Sequence, residues 1–535
     1  MGTPKLVMEI TSFYRCFMVL LIYFGCQGCL EEERAALLQI KDSMNISESS
    51  GFSNWYGEEC CDWDGVECDP SRTRIHKILF YQLRDQRNIE VEPWFPNATL
   101  FAQFKDLQLL ELPGNQIGGF LSTHAFKKLK HLRKLNLRDN SIQNGSNFCW
   151  GKYLSLYNLD LSEMMSPSCS PSFKLSILSL SGCSVKKISP WMLHNITSEL
   201  WLSGNNLTGP FISNFQNITS KLTLLDISDN FLHVTLLEDI NLNFPELRHL
   251  DLSNNSFNGN LPIFFSDQFQ TLDLLDNQFQ GGIPHGMTSN MSFVYLRLSR
   301  NNLTGDLFPK NSSLPNLRWI YLNNNHLSGI FPYALTKSME LGIIDIQNND
   351  LSGELSSYLP VLPKLKILLL PGNRFGGQIP VQVCQMRDLH VLDLSENDFS
   401  GDIPHCVDNV SSWLDSSYGG YLPVDSWNKI ALTTKGSRYI FKGSILPYIR
   451  GIDVSCNRLR GKIPIQMTLL KGIHFLNVSN NLLTAFDVAF NNLSGMIPQR
   501  VQFAIFSNDS YLGNADLCGL PLSTKCNDGA EIPPV

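Results

Sequence analysis

Charge is scarce in this 535-residue chain: Asp, Glu, Lys and Arg together make up 17%, and the formal net charge is only -7. No basic run stands out, so nucleic-acid binding has little support. Catalytic phrases are missing as well. There is no GxSxG, no HExxH and no phosphate loop, and the Asp of each "LDLS" phrase belongs to a repeat rather than to an acid–base pair. Nothing in the sequence points to an enzyme, a cofactor or a metal. Long apolar runs are also wanting. After residue 28 none approaches the length that crosses a bilayer, about 20 residues. The one early run, CFMVLLIYFG at 16–25, is too short to span. It follows Lys5 and Arg15 and precedes the small Gly28, so residues 1–28 read as a secretory signal peptide, with an uncleaved anchor as the alternative.

What is present agrees with an oxidising, extracellular compartment. Sequons are dense: Asn45, Asn97, Asn144, Asn195, Asn206, Asn217, Asn254, Asn290, Asn302, Asn311, Asn409, Asn477, Asn492 and Asn508 are each followed by x-Ser/Thr. Cysteines gather near the two ends of the mature chain, as capping disulfides would.

One phrase, LxxLxLxxNxLxGxIP, recurs through the middle. The second Leu of its LxL falls at Leu298, Leu322, Ile346, Leu370 and Leu394, a constant step of 24 residues. That step lies in the leucine-rich-repeat range. Earlier markers at Leu137, Leu161, Leu180, Leu202, Ile227, Leu252 and Leu274 are less evenly spaced. The LxL alternation sends two residues inward and the one between outward, as a short strand requires. The following Asn (Asn301, Asn325, Asn349, Asn373, Asn397) can satisfy turn amides inside the stack. Gly then permits a tight return, and Pro fixes φ and leaves no donor to satisfy. Each coil is stabilised by its neighbours. The expected fold is an α/β solenoid, a leucine-rich-repeat superhelix or horseshoe with a parallel β-sheet on the concave face and disulfide-capped ends.

The period breaks twice. From Leu394 to Val454 is 60 residues, one step plus a surplus of 36. The surplus at 412–448 is an insertion, or island, that leaves the solenoid and returns. Its aromatics favour an ordered element packed over the sheet, with "NKIALTTKG" as a strand. From Val478 to Val488 is only 10 residues, too few for a coil to go out, turn, return and turn again. A local defect is expected near 482–488, with Ala485–Phe490 paired imperfectly or not at all.

An open solenoid needs lids. CLEEERAALLQIKDSM offers an amphipathic helix with Ala35, Leu38, Leu37, Ile40 and Met44 toward one side. Pairing Cys29–Cys60 and Cys61–Cys68 is the simplest arrangement of the front cysteines, since adjacent Cys60 and Cys61 do not readily bond each other. A zinc site is the alternative, against which the lack of nearby His argues. At the rear, Cys518 and Cys526 bracket a closable loop. Cys384 and Cys406 are nearly one coil apart and could staple adjacent coils, as, more weakly, could Cys149 and Cys169. Cys183 and Cys456 read as buried thiols. The expected order is a signal peptide (1–28), an N-terminal cysteine cap (29–73), repeats (74–411), an island (412–448), C-terminal repeats with a shortened coil (449–500), and a C-terminal cap and tail (501–535).

The "LxGxIP" return, the ERAALLQIKDSMN…CCDWDGVEC cap, the TTKGSRYIFKGSILPYIRGIDVSCNRLRGKIP re-entry and NNLSGMIPQRVQFAIFSNDSYLGNADLCGLPL resemble plant receptor-like proteins over nearly all of the mature chain. The resemblance implies a leucine-rich ectodomain that senses a peptide, protein or glycan outside the cell and signals through a receptor-kinase partner in defence or development. Members of that family continue into a membrane helix where this sequence stops at KCNDGAEIPPV. The chain is therefore expected to be a truncated or secreted relative, at the cell surface or in extracellular fluid. The alternative reading is a soluble decoy or enzyme inhibitor similar to polygalacturonase-inhibiting proteins.

Outward strand positions form columns across the coils, a broad surface for binding. In the strict region they are Tyr295, Arg297 and Arg300; Trp319, Tyr321 and Asn323; Ile343, Asp345 and Gln347; Ile367 and Leu369; and Val391, Asp393 and Glu396. Tyr295, Trp319 and Tyr321 with Arg297 are the residue types that anchor interfaces. Binding is expected to centre on Tyr295, Arg297, Arg300, Trp319, Tyr321, Asn323, Asp345 and Asp393.

Overall fold

The computed structural model describes residues 29–46, 52–84, 92–140, 175–183, 185–186, 188, 193, 196–209, 220–233, 243–263, 267–289, 292–309, 311–355, 359, 361–415, 429–434, 437–442, 445–483, 494–496, 508–511, 516–520 and 522–526. The expected signal peptide, the Cys149–Cys169 pair, Ala485–Phe490 and the sequons Asn144, Asn195, Asn217, Asn290 and Asn492 lie outside these residues. Two compact units divide the chain. One comprises Met1–Val234 and Leu242–Asn255, the other Thr235–Asn241 and Ser256–Val535.

The first described element of the first unit is the helix Glu31–Ser43. Its buried face is Glu33, Ala36, Leu37 and Ile40, with Met44 just beyond. Ala35 and Leu38, expected on that face, are only half-buried. Glu33 takes their place because its carboxylate accepts from Ile75 N at 3.1 Å and faces Arg74 at 3.5 Å, which tethers the helix to the first repeat strand. Disulfides Cys29–Cys60 and Cys61–Cys68 close the cap. Phe52, Trp55, Trp63 and Phe80 form an aromatic cluster, with Trp55 stacked on Trp63 and Phe52 edge-on to Phe80. Val66–Cys68 pairs antiparallel with Ile75–Leu79. Parallel strands follow at Leu109–Glu111, Lys134–Asn136, Leu175–Ser179, Ile196–Trp201, Leu224–Asp226 and His249–Asp251.

In the second unit the LxL phrases become strands Thr271–Asp273, Tyr295–Arg297, Trp319–Tyr321, Ile343–Asp345, Ile367–Leu369, Val391–Asp393, Gly451–Asp453 and Phe475–Asn477. They pair in parallel and in register, one residue of each coil against its counterpart 24 later, as Tyr295 against Trp319 and Trp319 against Ile343. Val391–Asp393 pairs directly with Gly451–Asp453, so the stack continues across the island without a gap. A second parallel sheet, not read from the sequence, is built by the "NxLxGxIP" half of each phrase, from Asn258–Asn260 through Asn302–Asp306 to Arg458–Leu459.

The Asn residues do what their position requires. Asn349 donates to Leu322 O at 3.0 Å and Ile346 O at 3.1 Å, and accepts from Leu327 N at 3.0 Å. The same set recurs at Asn325, Asn373, Asn397, Asn457 and Asn481. Each Asn thus ties its own turn to the coil before it. Inward Leu296, Ile320, Ile344 and Leu368 are fully buried, as are Leu303, Leu327, Leu351, Phe375 and Phe399 in the second sheet.

Burial falls away at the last described strand of the LxL sheet. Leu476, the inward residue of Phe475–Asn477, is 43% exposed, against 2% for its counterpart Ile452. Ser494–Met496 pairs instead with Asp516–Cys518, in a two-stranded sheet of its own near the Cys518–Cys526 disulfide. Cys384–Cys406 bridges consecutive coils. Cys183 is buried, but Cys456 is exposed, which corrects the expectation for it. Cys456 stands at the left-handed turn position after the strand (φ 52°), where the side chain points outward, and Asn480 donates to its sulfur at 3.3 Å.

Candidate functional site: a sheet face covered by the island

The island is ordered where it is described. It leaves the stack through the short helix Ser411–Leu414, whose Trp413 is fully buried and donates to His390 O at 3.1 Å. A hairpin follows, Lys429–Thr434 paired antiparallel with Ser437–Lys442. Alternation along the first strand sends Ile430 and Leu432 to one side, and they are 1% and 2% exposed. They pack into a cluster with Tyr295, Trp319, Tyr321, Ile343, Ile367, Leu369 and Val391, all outward residues of the LxL sheet. Leu446 and Ile449 join it from the returning segment, and Phe441 and Phe475 flank it. Gln347 Nε2 donates to Ala431 O at 3.3 Å and fixes the hairpin edge. Gly451 has a local reason: a Cβ there would lie 2.3 Å from the Phe475 ring, so only Gly lets that ring reach the cluster.

This geometry corrects the expectation of an open column. Tyr295 (7%), Trp319 (8%), Tyr321 (1%), Asp345 (2%) and Asp393 (4%) present almost no surface, because outward apolar side chains are buried by the hairpin and the carboxylates by their neighbouring coils. Asn323 is also buried and accepts from Ser299 Oγ. Arg300 alone among the eight is exposed, in an ion pair with Asp276 at 3.2 Å. Arg297 lies between the extremes. Its guanidinium stacks 5.5 Å from the Tyr321 ring centroid and faces Asp273 at 3.6 Å, and Tyr295 OH donates to the same carboxylate at 3.2 Å. Burial works against its charge, but Asp273 holds the guanidinium protonated.

Beside the cluster, Asp393 and Asp453 oppose each other on adjacent strands. Burial first, and the Asp453 charge second, push the Asp393 carboxyl up to about 7. Behind the strand, His390 is fully buried with Lys366 and Arg450 on the neighbouring coils; burial and those two cations push its imidazole down to about 3. Among the described residues no group of three His, Cys, Asp or Glu could hold a metal.

The island also carries exposed apolar side chains: Tyr439 (49%), Ile440 (68%), Ile445 (51%) and Tyr448 (70%). Sequence reasoning did not single these out. The available signal was the alternation in "SRYIFK", where Ile440 falls opposite to the buried side. Of the sequons, Asn45, Asn206, Asn254, Asn302, Asn311, Asn409 and Asn508 are exposed. Asn97 caps a short helix by accepting from Thr99 N at 3.0 Å, and Asn477 donates to Asp453 and Ser455.

The family description "Leucine rich repeat N-terminal domain" matches residues 30–69, and "Leucine Rich Repeat" matches 197–218, 246–267, 316–338 and 388–410. The chain carries leucine-rich repeats. Its curated relatives include Cuscuta receptor 1 of Solanum lycopersicum, 29% identical across 45% of this chain and 21% of the relative. Receptor-like protein 15 of Arabidopsis thaliana is 32% identical across 33% of this chain and 22% of the relative. The chain thus spans about a fifth of the length of these curated plant relatives. A solved structure titled as the plant peptide hormone receptor RGFR1 in complex with RGF2 is similar at 22% identity, covering 78% of this chain and 68% of that one with a TM-score of 0.47. Among the described residues no helix is long and apolar enough to cross a membrane.

Proposed function

We propose that this leucine-rich-repeat protein is an extracellular ligand-recognition protein of the plant receptor-like type. It binds a peptide, protein or glycan at the exposed surface of the island that covers the LxL sheet face, and works with a receptor-kinase partner in defence or development. The observation that carries this reading is the island hairpin seated on the sheet. No repeat rule calls for Ile430 and Leu432 to be buried there, and the docked hairpin leaves Ile440 exposed on its far side, with Tyr439 exposed on the second strand and Tyr448 on the returning segment. Exposed aromatic and aliphatic side chains on an ordered element are the usual material of an interface core. The disulfides suit an oxidising compartment. The relatives' names support the receptor-like type.

The test is to express the tagged chain in plant tissue, recover it from extracellular fluid and membranes, and compare what co-purifies with wild type and with an Ile440→Asp, Tyr448→Asp variant. Loss of a receptor kinase or an extracellular ligand in the variant supports the reading. Identical co-purifying sets, or retention and degradation before secretion, would sink it.

A further inference from the structure

We propose that a polar groove on the second sheet is a docking site for a neutral, hydroxyl-rich saccharide. The groove, of about 700 Å3, runs over three consecutive coils and is lined by Asn258, Gly259, Asn277, Gln278, Gln280, Arg300, Asn301 and Asn302. That volume is in the range of small-molecule sites. Asn277 and Asn301 form its floor and are committed to turn carbonyls. Gln278, Gln280 and Asn302 are exposed. Asn258 stands against Gln278, and Gln280 against Asn302, on adjacent strands. Strands about 4.8 Å apart therefore set carboxamides at roughly the repeat of a pyranose chain.

An amide offers both a donor and an acceptor, which matches a hydroxyl in either role. Charge decides against an acidic ligand, because Arg300, the one cation of the lining, is already paired with Asp276. The repeat does not impose this composition. Farther along the same sheet the strands carry ion pairs instead, Arg374–Asp350 and Arg458–Asp398.

Two sources supply such a sugar. Asn302, with Leu303 and Thr304, is a sequon on the lip of the groove, so a glycan attached there begins at its edge. A free oligosaccharide is the other. The experiment uses the full chain from a glycosylating host. Endoglycosidase release at Asn302 is timed against release at exposed Asn311 by glycopeptide mass spectrometry, in wild type and in Gln278→Ala, Gln280→Ala. In parallel, a Thr304→Ala variant, which keeps the Asn302 amide but loses the sequon, is titrated with diacetylchitobiose and with cellobiose by NMR.

Release at Asn302 several-fold slower than at Asn311, and restored to the Asn311 rate by the double variant, supports docking of the chain's own glycan. Saturable millimolar binding of either disaccharide to Thr304→Ala, lost on adding the double substitution, supports a free ligand. Equal release rates together with no titration overturn the proposal. Melting temperature and circular dichroism of the double variant, expected unchanged because both glutamines are exposed, keep a folding defect from imitating either result.

Discussion

At the scale of single residues the repeat delegates its hardest task to asparagine. Buried Asn349 donates to three carbonyls and accepts from one amide. Asn349→Ala strands the Leu327 amide, while Leu322 O keeps its bond from Asn325 and Ile346 O its bond from Asn373, and an orphaned group costs about 1–3 kcal/mol. The expected loss is about 1–3 kcal/mol in urea unfolding, while exchange of the exposed Ser352, which lies outside the left-handed region, for Ala changes stability little. Two buried ionisable groups make opposite claims on pH. Asp393 is raised to about 7 from an unfolded value of about 3.9. The folded chain therefore holds a proton the unfolded chain has released, and this group's contribution to stability declines as pH rises between those values. His390 is lowered to about 3 from about 6.5. Its contribution is complete above the unfolded value and is lost as pH falls toward the folded one. Melting temperatures across this window separate them. Asp393→Asn is expected to leave a protein that weakens toward acid, and His390→Gln one that weakens toward neutral pH. Parallel profiles for the two variants would refute the assignment.

At the scale of elements, the hairpin is held by Ile430 and Leu432, by flanking Phe441 and by one amide contact. Leu432→Ala removes a buried leucine, worth about 2–5 kcal/mol in a core, but the loss falls on docking and not on the stack beneath. Hydrogen exchange is expected to quicken in 429–442, and limited proteolysis to cut there, while the Asn-ladder turns stay protected. Uniform loss of protection throughout the second unit would mean that the hairpin is integral to the repeats. The island's order was legible from its aromatics and from "NKIALTTKG". Which residues it would cover was not, since the partner of an insertion is chosen by packing across sequence distances of about a hundred residues, as from Leu432 to Tyr321.

At the scale of the whole molecule, stacking makes position in the array an energetic variable. Leu392 and Leu476 occupy equivalent inward sites, yet they are 4% and 43% exposed. Leu392→Ala is expected to cost about 2–5 kcal/mol and Leu476→Ala less than about 1.5, read as the difference in urea midpoint. Equal losses would mean that the sheet continues past Phe475–Asn477. Sequence alone determined the 24-residue coil, the inward leucines, the Asn ladder, the cysteine pairs at the caps and the site of the insertion. Each follows from a rule that acts within one coil or between nearest neighbours, so it is written wherever the phrase is written. Only the tertiary structure decided that Tyr321 and its neighbours lie under the hairpin, that Glu33 is a buried tether, that Cys456 faces outward, and that amides on three coils line one groove. Those outcomes depend on which surfaces meet in space, and a repeat leaves its outward positions free of any rule that would announce the meeting.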